Sequence, residues 1–250
     1  MDTNGRFQLL VKSQKLGQNK RGQNEWIPVY TKVPFVAAQT AIIVCDMWDN
    51  HWSKGATERV TKMAPRVNDF IRRARSKHVH IIHSPSDTMV FYEGSPARTR
   101  IKDVPMVSTP SVLSEVDIPL PIDDSDGGSD TGEQTVIRVW ASQHPSIEID
   151  QGRDVISDDE KEIYSFITHH SIKNVLVLGV HTNMCILNRP FGIKKLTSWQ
   201  IHTTLIRDLT DAMYNPAKPP YVSHDQGTQL VIEYIEKFWC PTADSRSLPW

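Results

Sequence analysis

Val175-Leu176-Val177-Leu178-Gly179-Val180-His181-Thr182-Asn183-Met184-Cys185 carries an unbroken apolar run into a turn that ends on a cysteine. Val175 to Leu178 read as a buried central strand, Gly179 permits a sharp turn, and Ile186, Leu187 and Ile193 then recur at helical spacing. Cys185 is therefore expected at a helix N-terminus. There, unpaired backbone N–H groups favour a thiolate and can hold an oxyanion formed on an attacked carbonyl. A lone cysteine is more often a packing residue than a nucleophile, so this turn alone leaves both readings open.

Thr40-Ala41-Ile42-Ile43-Val44-Cys45-Asp46-Met47-Trp48 is a second apolar strand, and it ends on an acid. In an open parallel sheet, ligands bind beyond the carboxyl ends of the strands, so neighbouring strands would bring Asp46 and Cys185 to one crevice. An aspartate beside a thiol can take its proton. Taken alone, Asp46 reads equally as a turn or capping residue. Cys45, one residue earlier, is expected to point to the opposite face.

With these two motifs in place, the chain resembles the isochorismatase-like cysteine hydrolases, which include nicotinamidases, N-carbamoylsarcosine amidases and ureidoacrylate or biuret amidohydrolases. Ala41 to Trp48 matches that family's first strand, and Gly179 to Cys185 matches its Gly-x-x-Thr-x-x-Cys turn, with the likeness spanning roughly residues 38 to 215. The resemblance implies a three-layer α/β/α, Rossmann-like fold with a mainly parallel sheet. It also implies Asp46 as general base, Cys185 as nucleophile, and an oxyanion site from the backbone N–H groups of Cys185 and His181, after a cis Val180–His181 peptide. The implied activity is hydrolysis of a small amide-type carbon–nitrogen bond through a thioester, without a cofactor.

One element of the family pattern is missing. Its third catalytic residue is a lysine before the helix that leads to the cysteine strand, and no lysine stands between Lys102 and Lys161. Val136 to Ile147 should hold it, and His144 is the first substitute. An imidazolium stabilises a thiolate, but its ordinary pKa of about 6.5 makes that role pH-dependent. Arg138 and Arg153 supply permanent charge without ready proton exchange, and Lys102 is within reach from the preceding loop. The missing lysine also supports an alternative, a non-catalytic relative that binds a small ligand or partner protein.

The 250 residues, 39% of them hydrophobic, suffice for one substantial core. The expected division is an N-terminal arm over 1–37 and a hydrolase domain over 38–250. Lys+Arg 28 against Asp+Glu 29 leaves a formal charge of −1, no electrostatic footprint for nucleic acid or an anionic membrane, and so a small-molecule partner is expected. Three widely spaced cysteines fit a reducing compartment, and the cytoplasm is the expected location. The arm suits a homo-oligomer interface.

Periodicity predicts strands near 41–46, 79–83, 135–140, 174–179 and 201–206, with helices near 58–77, 158–170, 184–197 and 226–238. That alternation means parallel α/β with helices on both faces. Cys240 to Ser245 is read as an extra edge strand, and Phe7 to Val11 with Trp26 to Tyr30 as a hairpin or packing arm. The acidic run Asp123 to Asp130 lacks the full calcium-loop pattern and reads as a solvated loop.

No metal is expected. On a strand His78 and His80 share one face while His83 faces the other, and His83 to Asp87 lacks the Asp-x-His spacing of nicotinamidases. Trp48, His51, Trp52, Tyr92, Asn183 and Met184 are the expected substrate contacts, since aromatic side chains can stack on a planar amide or ring.

Overall fold

A computed structural model describes residues 5–111, 118–134, 136–248 and 250. Two antiparallel strands open the chain, β1 (Arg6–Gln18) and β2 (Asn24–Val36). There follow β3 (Thr40–Cys45), α1 (Lys54–Arg75), β4 (His80–Ser84), α2 (Pro96–Lys102), β5 (Val155–Ile156) and α3 (Glu160–His169). The chain continues through β6 (Asn174–Val180), α4 (Cys185–Asn188), α5 (Ile193–Ser198), β7 (His202–Asp211), α6 (His224–Phe238) and β8 (Thr242–Ala243). Among the described residues these strands form one sheet in the order β2-β1-β8-β7-β6-β3-β4-β5, parallel from β8 to β5.

Every residue of β3 and β6 is buried, because helices cover both faces of a central parallel sheet. Alternate side chains serve opposite layers. Ile42, Val44, Leu176 and Leu178 pack with Val60, Val67, Phe70 and Ile71 of α1. Ala41, Ile43, Cys45, Val175 and Val177 pack with Phe166 of α3, Leu196 of α5 and Ile235 of α6. The result is a three-layer α/β/α architecture.

Several elements depart from the sequence expectations. Residues 136–140 form no strand, and Val136 and Ile137 are exposed (Thr135 lies outside the described residues). The edge position beside β4 is taken by β5 instead, so this β-branched run finds no partner strand. The helix expected over 184–197 is two helices, α4 and α5, because Pro190 forces Arg189 into extended backbone, with ψ 154°. Strand β8 lies inside the sheet rather than at its edge, since the N-terminal hairpin adds to it through Lys12 opposite Thr242. Phe7, Leu9, Val11 and Phe35 of that hairpin are buried in the α1 layer, and Lys12 pairs with Glu236 of α6 at 2.9 Å.

The tightest backbone approach falls between β3 and β6. Gly179 sits opposite Cys45 in register with φ +109°, and a Cβ there would lie 2.0 Å from the Cys45 carbonyl oxygen. Replacing Gly179 by alanine should therefore cost about 3 kcal/mol or more, through clash and a disfavoured backbone. Urea unfolding of the Gly179→Ala variant measures it, and a loss below about 1 kcal/mol would show that the strand pair tolerates separation.

Candidate active site

Parallel pairing of β3 with β6 brings their carboxyl ends side by side, and the chain leaves each strand into a sharp turn. After β3, Asp46 adopts φ +47° and its N–H donates to the Ser84 carbonyl of β4 at 3.0 Å. After β6, the Val180–His181 peptide is cis, and the Thr182 N–H donates to the Asp211 carbonyl of β7 at 2.9 Å. Cys185 then opens α4.

Asp46 is wholly buried and saturated with donors. Its Oδ1 accepts from the Ser86 N–H at 2.7 Å and its Oδ2 from Arg189 Nε at 2.7 Å. The Cys185 thiol lies against the same carboxyl group, while the residue keeps partial exposure. Arg189, four residues beyond Cys185, is thus the cation of the site. Its guanidinium also reaches Asp87 at 3.5 Å and lies 5.8 Å above the Trp48 ring centroid.

Burial raises the Asp46 pKa, with Arg189 and the Ser86 N–H pulling against it. Burial raises the Cys185 thiol well above its ordinary value, and the neighbouring Asp46 charge raises it further. The thiol is accordingly neutral at rest, beside a carboxyl group that Arg189 draws toward its charged form. This differs from the thiolate expected at a helix N-terminus, because four residues of helix offer little field against desolvation and an adjacent anion. Burial opposes the Arg189 charge, but Asp46 outweighs it and holds the guanidinium pKa above its usual value.

The other sequence candidates fall into distinct places. Trp48 and Trp140 stack with centroids 4.3 Å apart, and His51 lies parallel to both, at 6.0 Å and 5.8 Å. Trp52 packs on His51 at 5.3 Å, and His181 meets His51 edge-on at 4.9 Å. Burial depresses the pKa of His51 to about 4 and that of His181 to about 3, so both rings are neutral. His181 is 2% exposed and its Nε2 has no hydrogen-bond partner among the described residues. Met184 is half-buried beside Cys185. Asn183 and Tyr92 are engaged internally. Asn183 Oδ1 accepts from the Met213 N–H at 2.8 Å and its Nδ2 donates to Asp124 at 2.7 Å, while the Tyr92 hydroxyl accepts from the Gln143 N–H at 2.7 Å.

His144 sits in the neighbouring loop, where its N–H donates to the Met47 carbonyl and its Nδ1 accepts from the Ser146 N–H at 3.2 Å. Lys102 pairs with Glu93 and Arg153 with Asp150. Arg189 was the residue that sequence reading passed over, although its i+4 spacing from Cys185 is the signal that marks it. Among the described residues, no group of three His, Cys, Asp or Glu side chains is placed to hold a metal ion, and no helix is long and apolar enough to cross a membrane.

The architecture is the isochorismatase-like fold. A cysteine hydrolase from Pseudomonas syringae pv. phaseolicola 1448A superposes with a TM-score of 0.55 at 15% identity, over 86% of this chain and 92% of that one. An isochorismatase family protein from Burkholderia thailandensis does so with a TM-score of 0.50 at 9% identity, over 84% and 94%. At these identities the likeness is one of fold. No protein-family model and no curated protein matches the sequence.

The charges around the sulfur make a signed prediction. Asp46→Asn removes the adjacent anion and leaves Arg189 beside the sulfur, so the thiol pKa should fall and iodoacetamide labelling near neutral pH should accelerate by about tenfold or more. Arg189→Gln should slow it. Mass spectrometry of the Cys185 peptide reads both rates, and equal rates in all three proteins would separate the sulfur from these charges.

Proposed function

We propose that this chain is a cysteine-dependent hydrolase of a small amide-type carbon–nitrogen bond. The observation that carries the reading is the meeting of Cys185 and Asp46 at the shared rim of β3 and β6, with Arg189 bonded to the same carboxylate. The fold neighbours, a cysteine hydrolase among them, agree with it.

In the proposed cycle, Asp46 takes the thiol proton as Cys185 Sγ adds to the substrate carbonyl carbon. The tetrahedral oxyanion is held by the backbone N–H groups of Cys185 and His181. The carbon–nitrogen bond then breaks, and the proton on Asp46 leaves with the amine or ammonia. Water adds to the thioester, its proton passing to Asp46, and the carboxylic acid departs as the thiol regains that proton. Arg189 keeps its charge throughout, because a guanidinium does not exchange protons at neutral pH. It holds Asp46 ionised and aimed. The parallel Trp48, Trp140 and His51 rings would face a flat substrate, and His181 Nε2 is a free polar contact for it.

A screen of small primary amides, ureas and nicotinamide for ammonia release tests the activity. Cys185→Ala should abolish turnover while the circular dichroism spectrum is retained. Turnover that survives the change disproves the nucleophile, and a chain that binds such amides without turning them over in the wild type is a ligand-binding relative.

The acid limb of kcat/KM should report Asp46, whose pKa burial lifts above that of an ordinary carboxyl. Activity is therefore lost as the pH falls through that raised value. Arg189→Gln removes the opposing charge and should move the limb upward by about one pH unit or more. His144→Ala should leave it in place. The reverse pattern would assign the cation to His144.

A further inference from the structure

A cavity of about 280 Å³ opens at the amino-terminal edge of the sheet, away from Asp46 and Cys185. Arg75 ends α1, His80 begins β4, Arg100 lies in α2, Arg153 precedes β5 and His170 follows α3, and all of them line it together with His78. A single carboxylate, Asp154, also lines it. That carboxylate is spent inward. Its Oδ1 accepts from Arg75 Nε at 2.9 Å, and its Oδ2 takes Arg75 Nη2 at 2.5 Å, His83 Nε2 at 3.1 Å and the Asp150 N–H at 2.8 Å.

The cations are unequally neutralised. Arg75 is balanced by Asp154 and, at 3.6 Å, by Glu148, and Arg153 by Asp150 at 3.0 Å. Among the described residues Arg100 has only carbonyls: its guanidinium donates to the backbone oxygens of Asp154 and of Gln151. Carbonyls fix its planar fork without cancelling its charge, the arrangement that suits recognition of an oxyanion. His80 and His170 stand with ring centroids 4.9 Å apart, and His169 lies 5.1 Å from His170.

We propose that this cavity binds a small oxyanion of the phosphate or sulfate class, held by the uncompensated Arg100 guanidinium and by the imidazoles of His80 and His170. Burial lowers the pKa of both rings, and the nearby imidazoles lower that of His170 further, so both favour the neutral form. A bound anion favours their protonated forms, and binding should take up protons. Arg75, Arg153, Asp154, Asp150, Glu148, His78, His83 and His169 are the other charged or titratable groups around these rings, and the first five are joined to one another by ion pairs.

The site is independent of the proposed hydrolysis, and its test needs no turnover. Sulfate stays a dianion across the useful pH range, so calorimetric titration of the full-length protein with sulfate at constant ionic strength isolates the protein's own protonation. Saturable binding is expected, tighter near pH 6 than near pH 8 by about fivefold or more. Arg100→Gln should weaken it by about tenfold or more. His170→Ala should weaken it and flatten the pH dependence, whereas Arg246→Gln, the same charge change elsewhere on the surface, should do neither. Inorganic phosphate and glycerol phosphate, run in parallel, distinguish a free anion from an organic phosphate ester by which binds more tightly. Absence of saturable sulfate binding, or an affinity indifferent to both Arg100→Gln and His170→Ala, overturns the proposal.

Discussion

The close parallel pairing of β3 with β6 is the constraint on which the rest depends. Cys45 and Gly179 face each other with the Cys45 carbonyl in the space where any other residue at 179 would carry its Cβ. That approach ends both strands at the same level, so the turns that follow, one through Asp46 and one through His181 to Cys185, emerge side by side. Strand β7 then shifts register between Val177 and Gly179 and runs on to Asp211. Its Asp211 carbonyl and Thr210 hydroxyl secure Thr182, the hydroxyls being 2.8 Å apart. The cysteine turn is thereby held from both flanks before any side chain in the site is considered.

Placing a carboxylate and a thiol in a buried environment carries an electrostatic cost, which the Ser86 N–H and above all a nearby cation offset. The resemblance calls for a lysine at the strand end or loop before the helix that leads to the cysteine strand, whereas here the cation beside Asp46 is Arg189, which follows α4. The exchange has a chemical consequence. A lysine can lend and recover a proton, but a guanidinium cannot, so every proton moved in the proposed cycle must pass through Asp46. Burial lifts the pKa of Asp46 as well as that of Cys185, which makes the carboxylate a better proton acceptor than an exposed one.

The apolar runs at 41–45 and 175–178 were legible because a strand covered on both faces leaves no room for polar residues. Asp46 and Cys185 were legible because they interrupt those patterns at the strand ends. The segment 136–140 has equally good strand composition yet forms none, since β-propensity describes a surface waiting for neighbours and the edge of β4 had already been filled by the two residues of β5. Arg189 escaped notice for a different reason. Its importance lies in a contact across 143 positions of sequence with Asp46, and an arginine beside Pro190 looks like any exposed helix end. The interior position of β8 was equally hidden, because one residue pair with β1 decides it.

The aromatic stack of Trp48 and Trp140 is built on another principle from the core beneath it. Asp49 N–H donates to the Ser142 carbonyl and His144 N–H to the Met47 carbonyl, a short bridge that presses Trp140 onto Trp48. Gln143 anchors the bridge from behind, its Oε1 on His83 Nδ1 at 2.9 Å, its Nε2 donating to the Ile147 carbonyl, and its N–H to the Tyr92 hydroxyl. Residues 136–139 lead into this bridge without strand pairing. Side chains there can change without disturbing the register of β3 and β6, whereas the Gln143 contacts cannot be lost without freeing Trp140. The Asp46–Cys185 pair is thus fixed by the sheet and the aromatic stack by a few hydrogen bonds, a division that lets one fold keep its strand ends while the loops around them are reshaped.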